Sequence, residues 1–328
     1  MRGERKADSE MKPKIYIDGE YGTTGLRIRK WLSPRNDLEL LTVPEANRRD
    51  PGARRELILA SDVAVLCLPD DAAREVASWV KGSKARVIDA STAHRTADGW
   101  VYGLPELQPD QRAQIAKAQF VSNPGCYPTA FVLLVRPLVE HGLMRETISP
   151  SVHALSGYSG GGNSLIRRWE DPDIGLISLP YEAPYAYLQV HKHVPEMIKF
   201  GKLAVEPQFL PAVGPFACGM RVQVALPVTS LPSGATAERI WQTLHNRYAN
   251  EQFVRVKPLQ DAKAPDEMTF DPRACNDTNR VELRVVAHPS GHVVLMGILD
   301  NLGKGACGAA IQSLNLMLGV PESSGLQA

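Results

Sequence analysis

The stretch Lys14-Ile15-Tyr16-Ile17-Asp18-Gly19-Glu20-Tyr21-Gly22-Thr23-Thr24-Gly25 joins a short apolar strand to a helix over Leu26 to Leu32 through three glycines. Glycines at such a joint let the backbone approach a pyrophosphate, which the open N–H groups of the helix start then hold. The spacing G-x-x-G-x-x-G departs from the commoner G-x-G-x-x-G, so it is the position behind the first strand that makes this reading. Working outward, the pattern repeats. Leu38 to Val43 is a second strand and Arg54 to Ala60 a second helix; Val63 to Leu68 is a third strand, apolar throughout, as strands covered on both faces are. Ala72 to Val80 is helical, Arg86 to Asp89 strand-like, and Phe120-Val121 a last strand ahead of another helix. Strands alternating with helices predict an α/β fold whose N-terminal unit is a Rossmann-like, doubly wound parallel sheet.

Past residue 147 the pattern changes. Ser151 to Leu155, Met220 to Leu226, Val281 to Val285 and Val293 to Leu299 alternate or run apolar at strand length, with Ala237 to Tyr248 a helix among them. This predicts an α+β unit on a mostly antiparallel sheet. Gly305 to Leu318 is helical again and is expected to pack back on the first unit. The expected division is 13–126 with 301–328 for the cofactor, and 127–300 for catalysis, substrate and dimerisation.

A chain of 328 residues accommodates two such units, and 44% hydrophobic content suffices for their cores. A net charge of +1 gives no electrostatic case for nucleic acid or an anionic membrane as partner, and no apolar run reaches the ~18 residues of a span. Five cysteines without a C-x-x-C or framework spacing point to reduced thiols in a cytoplasm. Residues 1–12 are charged, lack a signal-peptide apolar core, and read as a disordered tail or an upstream start before Met11.

The chemistry concentrates in Ser122-Asn123-Pro124-Gly125-Cys126-Tyr127-Pro128-Thr129, which leads into the apolar run Ala130 to Val135. Pro128 suits a first helical turn, so Cys126 falls at the helix start, where the dipole favours a thiolate nucleophile; the alternative is a small buried apolar cysteine. His191 and His193 in His191-Lys192-His193 project to one face if the segment is extended. There they serve acid/base chemistry beside Cys126, form part of a zinc site, or merely decorate a strand. Adjacent Glu196 is placed to orient one ring. Arg48 and Arg49, after the second strand, suit the 2′-phosphate of NADP, with Glu45 and Asp50 as acids for a plain ribose. Arg95, in Asp89-Ala90-Ser91-Thr92-Ala93-His94-Arg95, stands at the ligand-binding edge of the sheet and suits a phosphate or carboxylate. The run Ser156-Gly157-Tyr158-Ser159-Gly160-Gly161-Gly162 is a flexible loop or a cover for cofactor or cysteine.

Taken together, Val121 to Ala130, Tyr102-Gly103-Leu104-Pro105-Glu106, the glycine run at 156–162, His191 to Met197 and Asp300 to Ala306 resemble the N-acetyl-gamma-glutamyl-phosphate reductases. These are arginine-pathway relatives of aspartate-semialdehyde dehydrogenases, and the resemblance is to the shorter of their two classes, over about Lys14 to Leu318. It implies Cys126 as nucleophile and the histidine pair as acid/base. It places NADP(H) on Gly19, Gly22 and Gly25 and near Pro69, Ser159, Gly160, Asn301, Gly303 and Lys304, and the acyl phosphate on Arg95, Asn123 and Ser156. Substrate and released inorganic phosphate are then the small-molecule partners, no metal is required, and a homodimer or homotetramer is expected. The acids of Asp18-Gly19-Glu20-Tyr21 depart from the small residues usual in that cofactor loop. A sister reductase for aspartyl phosphate or carrier-linked aminoadipyl phosphate, and a non-catalytic nucleotide-sensing regulator, are the alternative readings.

Overall fold

A computed structural model of the chain describes residues 12–175, 178–260 and 270–328; the expected tail, apart from Lys12, lies outside the described residues. The first unit runs β1 (Lys14–Asp18), α1 (Thr23–Leu32), β2 (Glu39–Leu41), α2 (Pro51–Ala60), β3 (Val63–Leu66), α3 (Asp70–Val80), β4 (Arg86–Asp89), β5 (Val101–Tyr102), α4 (Gln111–Lys117) and β6 (Phe120–Ser122). Its strands form one sheet in the order β2-β1-β3-β4-β6-β5, with every pair parallel. β3 is buried at every position because helices cover both faces. α2 starts before its first apolar residue: Asp50 caps it, accepting from the N–H groups of Gly52 (2.7 Å) and Ala53 (3.3 Å), and Pro51 takes the first position.

The chain then passes through α5 (Cys126–Glu140) into β7 (Ser151–Gly157), α6 (Gly162–Trp169), β8 (Ala183–Pro184), α7 (Val194–Gly201), β9 (Gln208–Gly214), β10 (Met220–Leu226), α8 (Ala237–Tyr248), β11 (Val254–Val256), β12 (Val281–Ala287) and β13 (Val293–Leu299). A π-helical turn, Gly303–Cys307, leads into α9 (Gly308–Leu318). The second sheet has the order β11-β12-β13-β10-β7-β9-β8. It is mixed: β7 with β9 and β11 with β12 are parallel, and the remaining pairs antiparallel.

α5 is the hinge of the architecture. It is buried from Tyr127 to Leu138, because α7 and α8 pack on it along with the second sheet. Its side chains join Val222, Val224, Leu283 and Leu295 in the larger core, which accounts for an apolar pattern with no polar stripe. α9 returns to the first sheet, where Ile311 and Leu314 pack with Ile15, Val65 and Ile88.

The extended reading of His191 to His193 is corrected. The segment turns at His191, and His193 is the N-cap residue of α7. Pro195 falls in the first turn of that helix, where its missing N–H leaves no intrahelical bond unmade.

Candidate active site

Gly125, in extended conformation, is the N-cap residue of α5, so Cys126 is its first helical residue. The Tyr127 N–H and the Arg95 guanidinium both favour the thiolate of Cys126. Burial works against it and wins, aided by the Glu196 carboxylate, and the thiol is pushed up to about 11. Desolvation of the anion thus outweighs the helix start and the nearby cation, both of which favour the thiolate. A base must take the proton. The π-helical turn passes directly beneath the sulfur's residue. A Cβ on Gly305 would lie 2.7 Å from the Cβ of Cys126, so only glycine fits there.

Glu196, on the first turn of α7 and 1% exposed, holds this corner together. Its carboxylate accepts from Arg95 Nη1 at 2.8 Å, from the Tyr102 hydroxyl at 2.9 Å and from the Gly125 N–H at 2.9 Å. It orients the nucleophile's turn and Arg95, and no hydrogen bond joins it to either imidazole.

The two rings differ in their commitments. His191 Nδ1 accepts from the His193 backbone N–H at 3.1 Å, which leaves Nε2 of the neutral ring as a donor. His193 is buried with its Nδ1 lacking a partner among the described residues, and its Nε2 lies against Gly125. Burial, with Lys192 and Arg95 nearby, lowers His191 to about 4, and the same burial takes His193 well below its ordinary value. Both rings are neutral at pH 7. The hydroxyls of Tyr185 and Tyr127 meet at 3.1 Å beside them.

These groups face one cavity of about 580 Å³ between the two units. Cys126, His191, His193, Arg95, Asn123, Ser156, Gly160 and Asn301 line it, together with Thr24 from the start of α1. Asn123 donates to the Ala306 carbonyl at 2.9 Å, and its side-chain oxygen is buried without a partner among the described residues. Lys192, Tyr185 and Arg168 also line the cavity. They escape a sequence reading because nothing local marks a side chain as facing a space made by distant segments. Among the described residues no group of three His, Cys, Asp or Glu is disposed to hold a metal.

Two smaller pockets meet at Gly22, one beside the start of α1 and one beyond the end of β2. Gly19 has φ +87°, and a Cβ there would meet the Cys67 carbonyl oxygen at 2.4 Å. Gly25 acts by packing: a Cβ would sit 2.4 Å from the Gly19 oxygen. Among the described residues no side chain caps α1, and Gly22, Thr23 and Thr24 line the first pocket beside Cys67 and Ala90, a fit for the pyrophosphate of a nicotinamide dinucleotide. The acids that set this loop apart are neutralised. Asp18 pairs bidentately with Arg54 (3.0 and 2.9 Å), and Glu20 with Arg29. Arg48, 5.3 Å from the Tyr21 ring centroid and 3.5 Å from Glu45, and Arg49 line the second of these pockets with Tyr21 and Gly22. Pro69 is exposed at the start of α3, and Ser159 is buried against Asn301.

Two expected cofactor residues are corrected. Lys304 is wholly buried and pairs with Glu106 at 2.7 Å and with Gln312. Gly303 is packed against the Thr278 carbonyl, within the same turn. Neither reaches a surface a dinucleotide can touch. They brace the turn beneath Cys126.

The model of the semialdehyde dehydrogenase NAD binding domain matches residues 21–115, and that of the semialdehyde dehydrogenase dimerisation domain matches 126–301. The chain is 48% identical to N-acetyl-gamma-glutamyl-phosphate reductase 2 of Nostoc sp. over 320 residues, covering 96% of this chain and 99% of that one. It is 45% identical to N-acetyl-gamma-glutamyl-phosphate reductase 2 of Pseudomonas putida, covering 95% and 99%. Among solved structures, aspartate semialdehyde dehydrogenase II of Vibrio cholerae superposes with a TM-score of 0.71 at 15% identity, covering 94% of this chain and 99% of that one. Aspartate semialdehyde dehydrogenase of Francisella tularensis superposes at 0.68 and 14%, covering 93% and 100%. The fold is shared with these, and the first unit, which the NAD binding domain model matches, takes a nicotinamide dinucleotide.

Proposed function

The chain belongs to the N-acetyl-gamma-glutamyl-phosphate reductase family, and from that premise we propose that it reduces N-acetyl-L-glutamyl 5-phosphate to N-acetyl-L-glutamate 5-semialdehyde with NADPH, in arginine biosynthesis. The observation that carries the chemistry is a thiol at a helix start, facing a cavity shared with two neutral imidazoles and a buried arginine.

His193 is the base. Its Nε2 lies against the nucleophile's turn, and with the ring proton on Nδ1, which has no partner among the described residues, the Nε2 lone pair is free to accept the thiol proton. As it takes the thiol proton, Cys126 Sγ attacks the acyl carbon and the C–O bond to phosphate breaks. Phosphate departs toward Arg95, held by Glu196, and Lys192; a thioester remains on Cys126. His191, with Nε2–H exposed by its Nδ1 bond, and the Tyr127 N–H stabilise the oxyanion. When bound, the nicotinamide supplies the hydride. The thiolate then leaves as the carbonyl re-forms, and protonated His193 returns its proton to sulfur.

Arg48 and Arg49 support NADP over NAD: Asp18 and Glu20 are paired with Arg54 and Arg29, Asp50 caps α2, and Glu45 lies against Arg48. The division at 13–126 with 301–328 and 127–300 is adopted for the two units. A homodimer or homotetramer in the cytoplasm is the expected working form. Tyr181, Tyr187, Leu188 and Val190, exposed along the approach to the histidines, and the name of the matched dimerisation domain support the association. The deciding assay runs the reverse reaction with phosphate and NADP, comparing N-acetylglutamate semialdehyde with aspartate semialdehyde. A preference for the first of at least about a hundredfold in kcat/KM is expected, since a difference of this size needs only about 2.8 kcal/mol. A preference for the second overturns the reading.

A further inference from the structure

Among the described residues three basic side chains line the cavity, Arg95, Lys192 and Arg168, and no Asp or Glu does; Arg95 is paired behind the lining with Glu196. The three are not equivalent. Arg95 Nη1 lies 2.7 Å from where a Cβ on Gly125, the residue before Cys126, would sit, and Lys192 stands between the two histidines, whereas Arg168 is carried on α6. Arg168 belongs to the last turn of α6, three residues after Leu165, so both lie on one helix face. Leu165, Trp169 and Val213 form an apolar wall there, with Tyr158 stacked on Trp169 at 5.8 Å. No ion pair engages Arg168 among the described residues, whereas the adjacent Glu170 is taken up by the Tyr158 hydroxyl at 2.9 Å. Away from the turn of Gly125 and Cys126, the cavity is thus lined by an exposed guanidinium without an ion pair among the described residues, beside an apolar surface.

We propose that Arg168 is a specificity-determining residue that holds the substrate's α-carboxylate at the end of the cavity remote from Cys126, with the neutral N-acyl group against Leu165, Trp169 and Val213. The proposal rests on the reaction assigned above and supplies what discriminates within it. A substrate anionic at both ends, with its amine capped as an amide, matches cations at both ends and an apolar wall. A free α-ammonium, as in aspartyl phosphate, meets a cation here and no carboxylate to offset it. The guanidinium fork suits a carboxylate bidentately.

The test is the reverse reaction with N-acetylglutamate semialdehyde and with 4-acetamidobutanal, which lacks only the α-carboxylate. Measurements cover wild type, Arg168→Ala and Arg168→Lys. The kcat/KM ratio of the first aldehyde over the second is expected to fall about ten- to a hundredfold in Arg168→Ala, chiefly through KM, as loss of one charge-assisted pair implies. Arg168→Lys is expected to recover part of it. An unchanged ratio in Arg168→Ala overturns the subsite while leaving the reaction intact, and so does equal loss on both aldehydes. Failure of wild type to turn over N-acetylglutamate semialdehyde overturns the reaction, and the subsite with it.

Discussion

Glu196 Oε2 accepts the backbone N–H of Gly125 at 2.9 Å, so the residue just before the nucleophile is anchored to the helix that follows the histidines. The same carboxylate neutralises Arg95, and its charge also raises the Cys126 thiol. One group therefore fixes the geometry of the site and opposes ionisation of its nucleophile.

Glu196→Gln is expected to move two observables in opposite senses. Stability falls by about 3–5 kcal/mol, because the Arg95 charge is left buried and unpaired. At the same time the Cys126 thiol ionises more readily, and its alkylation by iodoacetamide shifts to lower pH. Thermal melting and peptide-resolved alkylation read the two effects; an unshifted alkylation profile removes Glu196 from the electrostatics of the nucleophile.

Alkylation of Cys126 in the wild type should climb steeply with pH and not level off below about pH 10, since the thiol is held near 11 by burial. Cys126→Ser should abolish turnover and keep cofactor affinity. A variant with more than about a tenth of wild-type activity contradicts the assignment.

The acid side of the pH–rate profile follows from the buried imidazoles. With His191 lowered to about 4 and His193 lowered well below its ordinary value, the neutral bases persist as pH falls. kcat/KM is expected to hold from about pH 7.5 to about pH 5.5; loss of half the rate near ~6.5 would instead report an ordinary histidine. Stability behaves differently. Below about 6.5 the unfolded chain protonates these rings while the folded one does not. The folded state therefore loses ground as pH drops from that value through about 4. His193→Asn should lower kcat by about a hundredfold or more, and His191→Asn by less, since it loses a hydrogen-bond donor rather than the base.

Replacing Arg48 and Arg49 together by alanine should weaken NADP binding by about ten- to a hundredfold and barely affect NAD, as expected for charge-assisted pairs to a 2′-phosphate. Titration of both cofactors decides it. Equal weakening would move the arginines to the pyrophosphate.

Lys304→Met should test the buried pair with Glu106. Removing the ammonium leaves a carboxylate buried and unpaired, and a loss of about 3–5 kcal/mol in chemical denaturation is expected, with the cofactor dissociation constant of the folded protein unchanged. A weakened cofactor at unaltered stability would return Lys304 to the binding surface.

The sequence alone determined the strand–glycine–helix unit at Lys14 to Leu32, the parallel sheet built on it, and Cys126 at the start of α5. These follow from apolar period, glycine and proline placement, which act between residues a few positions apart. The tertiary structure decided the rest: that the histidines sit on a turn and a helix start, that Glu196 serves Arg95 and Gly125, that Lys304 is interior, and that Arg168 faces the cavity. Each of these depends on partners contributed by distant segments, as with Gly125 and Glu196, 71 residues apart, or Glu106 and Lys304, 198 apart. The ionisation of Cys126 was decided there too. A helix start is legible in four residues, but the desolvation that overrides it comes from every element packed around the thiol.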